Sequence, residues 1–579
     1  MPNSIVLDCQ VEVHISNANL KATLQGNELH FSYSGLSNDP IGSDYALFHL
    51  DTVVEQQATL YGDGFQMLAQ TKGQLDNLQD IGRCPDNSTS YRIYPVNARK
   101  RFYNYLVIGD SIGYTLFGFT SCNRFAGYFS IAEQENLKRV TAYIDGEETL
   151  PQQWSSLNLE SVVVLKDTNL SRLYQRYSQR IANHHPIRNG VVAPAPTGWC
   201  SWYAYYANVS EHKVLTNLAA MAERFPKLDY LLIDDGYQAY MGDWLTPSDK
   251  FTSGVQTVIE KIKALGKKPA IWLAPFIAQA ESELFRQHPD WFVHNDKGEP
   301  MKAEEVTYAG WRCTPWYILD MTNPDVQEHI TQVVAHMRNE WGIELFKLDA
   351  NYWGTLKGIR YQSGITGVEA YRMGMEAISE GAGDALLLGC NAPMWPSLGL
   401  VDIMRVSDDV ERDERRFEQI AKETFLRSWQ HRRLWQIDPD CATFVSLPNQ
   451  ATERKSYDFH RTVLLASAGT LMSGDPLCDL TPFAKQSLDK LLIRQTRNQD
   501  AVKFSCLNLH HGYLRLTHNN DLHCLFNYQQ PAREVTLTAD HPVDWHDYWS
   551  GEKLNQEPVA AIEVTLESGL AARAILTVG

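Results

Sequence analysis

Eight short apolar runs recur between residues 197 and 476, most of them followed by an amphipathic helix, and this alternation is what most limits the fold. The runs are "TGWCSW", "YLLIDD", "PAIWLAP", "LFKLD", "LLLGC", "DIMRVSDD", "RLWQID" and "TLMSGDP". The intervening helices carry their own punctuation. In "VQTVIEKIKALG", Val255, Val258, Ile259, Ile262 and Leu265 share one face and Gly266 is the stop. In "NPDVQEHITQVVAHMRNEWG", Asn323 is the N-cap, Pro324 takes the first helical position and Gly342 ends the helix. Eight β–α units in about 300 residues predict a (β/α)8 TIM barrel. The rival, a doubly wound open sheet, normally carries a glycine-rich phosphate loop after a strand, and no run is followed by one.

The flanks have a different rhythm. Residues 1–165 show short alternating runs such as "VEVHIS", "ELHFSYS" and "VTAYID", broken by Gly, Asn, Asp and Pro, which predict an N-terminal β-sandwich. Residues 166–195 read as a linker helix and connection: Leu170, Leu173, Tyr174, Tyr177 and Ile181 follow helical spacing up to Pro186. The barrel then occupies 196–500. Residues 501–579 return to strand-like runs and predict a small antiparallel C-terminal β domain, again a sandwich.

Composition narrows the function classes. A formal charge of −17 argues against nucleic acid or an anionic membrane surface as partner. No run of about 18 apolar residues predicts a transmembrane helix. The opening "MPNSIVLDCQ" lacks the basic and apolar regions of a signal peptide. The ten cysteines are scattered, with no C-x-x-C and no zinc spacing, so they read as reduced thiols of a cytoplasmic protein. The adjacent pairs His184–His185 and His510–His511 read as surface residues.

In a barrel, residues just past the strands' C-terminal ends line the active site. Here those positions are Trp199 and Trp202, Asp234 and Asp235, Trp272, Lys347 and Asp349, Cys390, then Arg405, Asp408 and Asp409, Asp438 and Asp440, and Asp475. Carboxylates with tryptophans and a few cations suit glycosidic bond cleavage. One carboxyl protonates the leaving oxygen, the other attacks the anomeric carbon or activates water, and an indole stacks on the sugar. There is no His/Cys cluster for zinc, and no phosphate cradle to accompany Mg²⁺. Each residue also has a plainer reading. A strand-end Asp caps the next helix, Lys347 and Asp349 form a buried ion pair, Cys390 is a small hydrophobe, and the tryptophans are core. The recurrence of such residues at the same end of successive strands favours the site.

The motifs "GWCSWY", "LLIDDGYQ", "GDW", "IWLAPF", "HPDWF", "LFKLDANYWG", "LLLGC" and "MRVSDD" resemble those of the α-galactosidases of glycoside hydrolase family 36, of one clan with family 27. The resemblance runs in order through the whole barrel. It implies a retaining, cofactor-free and metal-free enzyme acting on terminal α-galactosyl residues of short oligosaccharides. Asp349 is implied as nucleophile, with Lys347 binding a sugar hydroxyl. The acid/base is Asp408 or Asp409, and the family's R-x-x-x-D spacing from Arg405 selects Asp409. Asp234 and Asp235 are implied to grip the 4- and 6-hydroxyls. Trp199, Trp202, Trp272, Cys390, Arg405 and Asp408 complete the substrate-binding set, and Phe65 in "GDGFQML" stands at or near the place of the family's N-terminal tryptophan. The same resemblance covers raffinose-type galactosyl transferases and α-N-acetylgalactosaminidases. A sugar-binding protein without catalysis is the reading from another class. The expected partner is a small carbohydrate; the sequence leaves the oligomeric state open.

Overall fold

The computed structural model describes residues 4–34, 39–150 and 157–579. All eight predicted barrel runs are parallel strands of one sheet: β1 (Thr197–Cys200), β2 (Tyr230–Ile233), β3 (Lys268–Leu273), β4 (Leu345–Leu348), β5 (Leu386–Gly389), β6 (Ile403–Arg405), β7 (Gln436–Asp438) and β8 (Leu471–Ser473). Their order is β7-β6-β5-β4-β3-β2-β1-β8. The Thr470 N–H donates to the Ile437 carbonyl at 2.9 Å, which carries the bonding on from β8 to β7 and brings the ring near closure. β1, β2 and β4 are buried at every position, as strands covered on both faces must be.

The chain divides into two compact units. The first holds residues 1–191, 238–249 and 272–402; the second holds 192–237, 250–271 and 403–579. In the first unit, thirteen strands among the described residues 4–167 join into one sheet, with long antiparallel pairings such as Ala126–Gln134 with Leu137–Asp145. The helix Leu170–His184 follows. The Asn169 side chain caps its start, and the predicted Leu170, Leu173, Tyr174, Tyr177 and Ile181 are its buried face. Helix Pro324–His336 also starts as read, on an Asn323 cap with Pro324 first. It runs through one π turn at Met337–Trp341 and ends at left-handed Gly342. One reading is corrected here. His185 is buried, not surface, and its Nε2 accepts the Cys122 N–H at 3.0 Å. Burial pushes that imidazole down to about 3, so it stays neutral and can accept.

In the second unit the C-terminal residues form six antiparallel strands in the described chain. The strand Arg533–Asp547 pairs with Val559–Leu566 along its first part and with Gly569–Val578 along its last, so it bends between two partners. Leu525, Trp545, Leu566 and Ile575 are the core there. His511 is exposed at the start of its strand, as read, and its Nε2 meets Nδ1 of the buried His523 at 3.0 Å. All ten cysteines are free, and no helix among the described residues is long and apolar enough to cross a membrane.

Candidate active site

In the first unit, Asp349 stands one residue past β4. Its amide donates to the Leu273 carbonyl at the end of β3 at 2.8 Å. Three N–H groups hold its carboxylate. Trp272 Nε1 donates to Oδ2 at 2.9 Å; Asn391 Nδ2 and the Ala350 amide each donate to Oδ1 at 2.8 Å. N–H donors to a carboxylate give strong, short, directional bonds, and three of them fix its orientation. The turn that aims Ala350's amide costs backbone strain: Ala350 has φ 53°, ψ 29°, left-handed for a residue with a Cβ. Asn391, φ 42°, is left-handed as well. Trp272 is enclosed, its indole edge-on to Trp244 at 5.8 Å. Lys347, within β4, is buried, and so is Cys390, whose amide continues the ladder to the Leu348 carbonyl.

A hairpin turn from the N-terminal sheet braces the loop after β5 within the same unit. Met67 N–H donates to Ala392 O at 3.1 Å and Met394 N–H to Phe65 O at 2.8 Å. Asp86 fastens this turn by accepting the Phe65 amide at 2.7 Å; burial pushes its carboxyl up to about 7. Phe65 is only 6% exposed and packs edge-on against Tyr103 and Tyr352. Its ring also lines a cavity of about 190 Å³ with Arg92, Glu147 and Lys357.

In the second unit, Asp234 and Asp235 follow β2 and are both nearly enclosed. The Asp235 amide donates to Asp234 Oδ1 at 2.8 Å, and the Cys200 thiol donates to Asp234 Oδ2 at 3.4 Å. Trp199 departs from the stacking platform expected of it. It is 0% exposed and its indole N–H is committed to the Asp475 carbonyl at 2.9 Å, so it has no face to offer a sugar. A tryptophan beginning to leave a strand points into the packed layer or out of it, and composition cannot say which. Trp202, two residues into the following turn, is partly exposed and lies edge-on to Tyr206 at 5.3 Å.

Asp408 and Asp409 separate cleanly. Asp408 is 2% exposed. Its Oδ2 takes Gln419 Nε2 at 3.0 Å and pairs with Arg416 at 3.0 Å; its amide donates to Glu423 at 2.8 Å. It is turned toward the helix Glu414–Arg427. Burial, and then the charge of Asp408, pushes Glu423 up to about 8. The Asp409 side chain is 43% exposed and accepts Arg405 Nη2 at 2.8 Å. Asp440 accepts the same Nη2 at 2.6 Å, and Asp438 Oδ1 accepts the Asp440 amide at 3.0 Å. Asp475 is spent on Arg412 at 2.8 Å and on the Phe444 and Val445 amides. The sequence reading missed Asn391, Tyr203 and the linkage through Asp440. Asn391 sits directly after the singled-out Cys390, but nothing in a lone Asn marks it as a carboxylate donor. Among the described residues no group of three His, Cys, Asp or Glu is placed to hold a metal.

Residues 157–376 match the Melibiase family. The chain is 28% identical over 191 residues to an α-galactosidase of Escherichia coli, which covers 31% of this chain and 25% of that protein. It is 24% identical over 245 residues to the bifunctional α-galactosidase/sucrose kinase AgaSK of Mediterraneibacter gnavus, covering 40% and 24%. The matches thus span about a quarter of these relatives' length. In fold the likeness is wider. TtGalA, the α-galactosidase of Thermus thermophilus solved with p-nitrophenyl α-D-galactopyranoside, superposes with TM-score 0.66 at 21% identity, over 90% of this chain and 96% of that one. The family 36 α-galactosidase AgaA of Geobacillus stearothermophilus superposes with TM-score 0.64 at 14% identity, over 98% and 82%. With the barrel motifs in family order and the Melibiase match falling on residues 157–376, the chain is similar to the melibiase α-galactosidases in this region, and in fold to a family 36 member.

Proposed function

We propose that this chain is a retaining α-galactosidase that hydrolyses terminal α-D-galactosyl residues of short oligosaccharides through a covalent galactosyl–Asp349 intermediate. The observation that carries the reading is the setting of Asp349: a strand-end carboxylate gripped by three N–H donors, one of them from a strained left-handed turn. Such a group is fixed in place, as a nucleophile must be. Asp409 is the acid/base. Its carboxyl has solvent access, whereas that of Asp408 is consumed by Arg416 and Gln419. It first protonates the departing oxygen and then, as base, takes a proton from the water that releases galactose.

Asp234, Asp235, Lys347, Cys390, Arg405 and Trp272 are read as sugar-site residues, with Trp202 and Phe65 toward the leaving group. No cofactor or metal is assigned. The protein is read as cytoplasmic, which its ten free thiols support. The division into an N-terminal sandwich (1–165), a connection (166–195), a barrel (196–500) and a C-terminal sandwich (501–579) is part of the same proposal.

The test is to quench the protein with a 2-fluoro galactosyl donor and digest it. A single fluorogalactosyl adduct on the peptide bearing Asp349 is expected. An adduct on another residue would overturn the assignment. Sugar binding without nitrophenol release from an aryl α-galactoside would make the chain a binder. Oligosaccharide products dominating in excess acceptor would make it a raffinose-type transferase, and preference for the N-acetylated sugar an α-N-acetylgalactosaminidase.

A further inference from the structure

A carboxyl that must give up a proton near neutral pH is poorly served by a neighbouring guanidinium, because a cation favours the ionised form. Asp409 has such a neighbour in Arg405 at 2.8 Å. The same Nη2 also donates to Asp440 Oδ2 at 2.6 Å. That oxygen further accepts the Val410 amide at 2.7 Å and the Tyr203 hydroxyl. Asp440 is 3% exposed and Arg405 1%. Tyr203 is held far above its usual titration range by burial, then by Asp409 and Asp440, so its O–H is always a donor. The Asp440 backbone is left-handed, φ 73°, a strained setting fixed by its amide's bond to Asp438.

We propose that Asp440 is a positioning residue for Asp409: by sharing Arg405 it draws the guanidinium charge onto itself and leaves Asp409 able to keep its proton until the leaving oxygen takes it. This rests on the α-galactosidase reading and deepens it. The charged and titratable groups facing the cluster include Arg405, Tyr203, Tyr206, Asp438, Asp409, Glu411, the Cys441 thiol and Arg412, which donates to the Tyr203 carbonyl at 3.2 Å. Arg416 lies beside it, bonded to the Asp409 carbonyl and to Asp408. Asp440 is not a second acid: three donors hold one of its oxygens, where Asp409 is the more open of the two.

The test compares wild type with Asp440→Asn, Asp440→Glu and Tyr203→Phe in pH profiles of kcat/KM, on melibiose and on an aryl α-galactoside. Asp440→Asn removes the carboxylate that competes with Asp409 for Arg405. The basic limb on melibiose, which reports the acid in its protonated form, is therefore expected to move acidward by about one pH unit. It should move far less on the aryl substrate, which scarcely needs the acid. Asp440→Glu keeps the charge and should restore the limb. If Asp440→Asn does not fold, Tyr203→Phe carries the test, because an Asp440 stripped of one donor holds Arg405 harder and moves the limb alkaline by a few tenths of a unit. A uniform loss at every pH on both substrates, with limbs unmoved, would make Asp440 merely structural. Azide rescue in Asp440→Ala with a wild-type-like Asp409→Ala would make Asp440 the acid. Should wild type hydrolyse neither substrate, the activity reading falls, but the carboxyl ¹³C titration of Asp409, assigned by difference against Asp409→Asn, still decides this one. It should drop in Asp440→Asn, and an unchanged titration refutes the linkage.

Discussion

The surroundings of Asp349 in the first unit and of Asp409 in the second differ in kind. Asp349 is 7% exposed and held by three neutral N–H donors. The Asp409 side chain is 43% exposed and bonded to the Arg405 guanidinium, which also binds Asp440. Neutral donors fix a carboxylate in place. A shared cation orients a carboxyl while leaving room for a proton to come and go. The proposed nucleophile and the proposed acid/base thus share a functional group and differ in what surrounds it.

The largest break in that comparison is removal of Asp349. Asp349→Ala is expected to lower kcat on an aryl α-galactoside by more than about 10³-fold with an unchanged melting temperature; a loss under tenfold would refute its role. Next comes Asp409→Ala. It should lose on the order of 10²–10⁴-fold on melibiose but far less in the bond-breaking step on an aryl substrate, and azide should accelerate its second step and yield an α-galactosyl azide, the retained configuration. Asp408→Ala instead should act on stability, by about 1.5–3 kcal/mol in denaturant unfolding, because buried Arg416 loses its buried carboxylate partner and keeps only the more exposed Glu411 and the Asp409 carbonyl. If Asp408→Ala shows the azide rescue, the two adjacent residues must be exchanged.

Trp272→Phe keeps an aromatic ring, though a smaller one, and deletes the indole N–H that donates to Asp349. A hydrogen bond to a charged group contributes about 1.5–3 kcal/mol, so kcat/KM should fall about ten- to a hundredfold. Glu423 gives a smaller effect, on pH dependence. Its folded pKa, about 8, lies above the ordinary carboxyl value. The protonated form therefore carries its stability, which is complete below about pH 4 and is lost as pH rises through 8. Glu423→Gln should flatten the decline in melting temperature between pH 5 and 8, and an unchanged slope would place the proton elsewhere. Last, EDTA should change nothing, and activity lost to chelator and restored by a divalent ion would overturn the metal-free reading.

The barrel was legible because its two signals are local. An apolar run of strand length and a capped amphipathic helix need no knowledge of distant residues, and the Asn323–Pro324 start and Gly342 stop fall where they are read. Strand-end positions were legible for the same reason, once the runs are ordered. What a side chain does there was not. Trp199 and Trp272 are indistinguishable as letters after a run, but one is spent on Asp475 and the other on Asp349. The choice of Asp409 over Asp408 followed a spacing from Arg405, and the donors that separate them come from a helix several residues away. Asn391 and Asp440 were invisible in these roles, because their partners are long-range and their left-handed backbones leave no mark in sequence.

The turn at residues 65–67, hydrogen-bonded to residues 392 and 394, has an engineering consequence. The loop it braces begins with Asn391, a donor to Asp349. A minimal barrel cut free of its N-terminal sheet would therefore be no self-sufficient cassette for grafting. Its strands could pair, but the amide aimed at Asp349 would lose its anchorage, and a truncation library screened for soluble protein would select inactive clones.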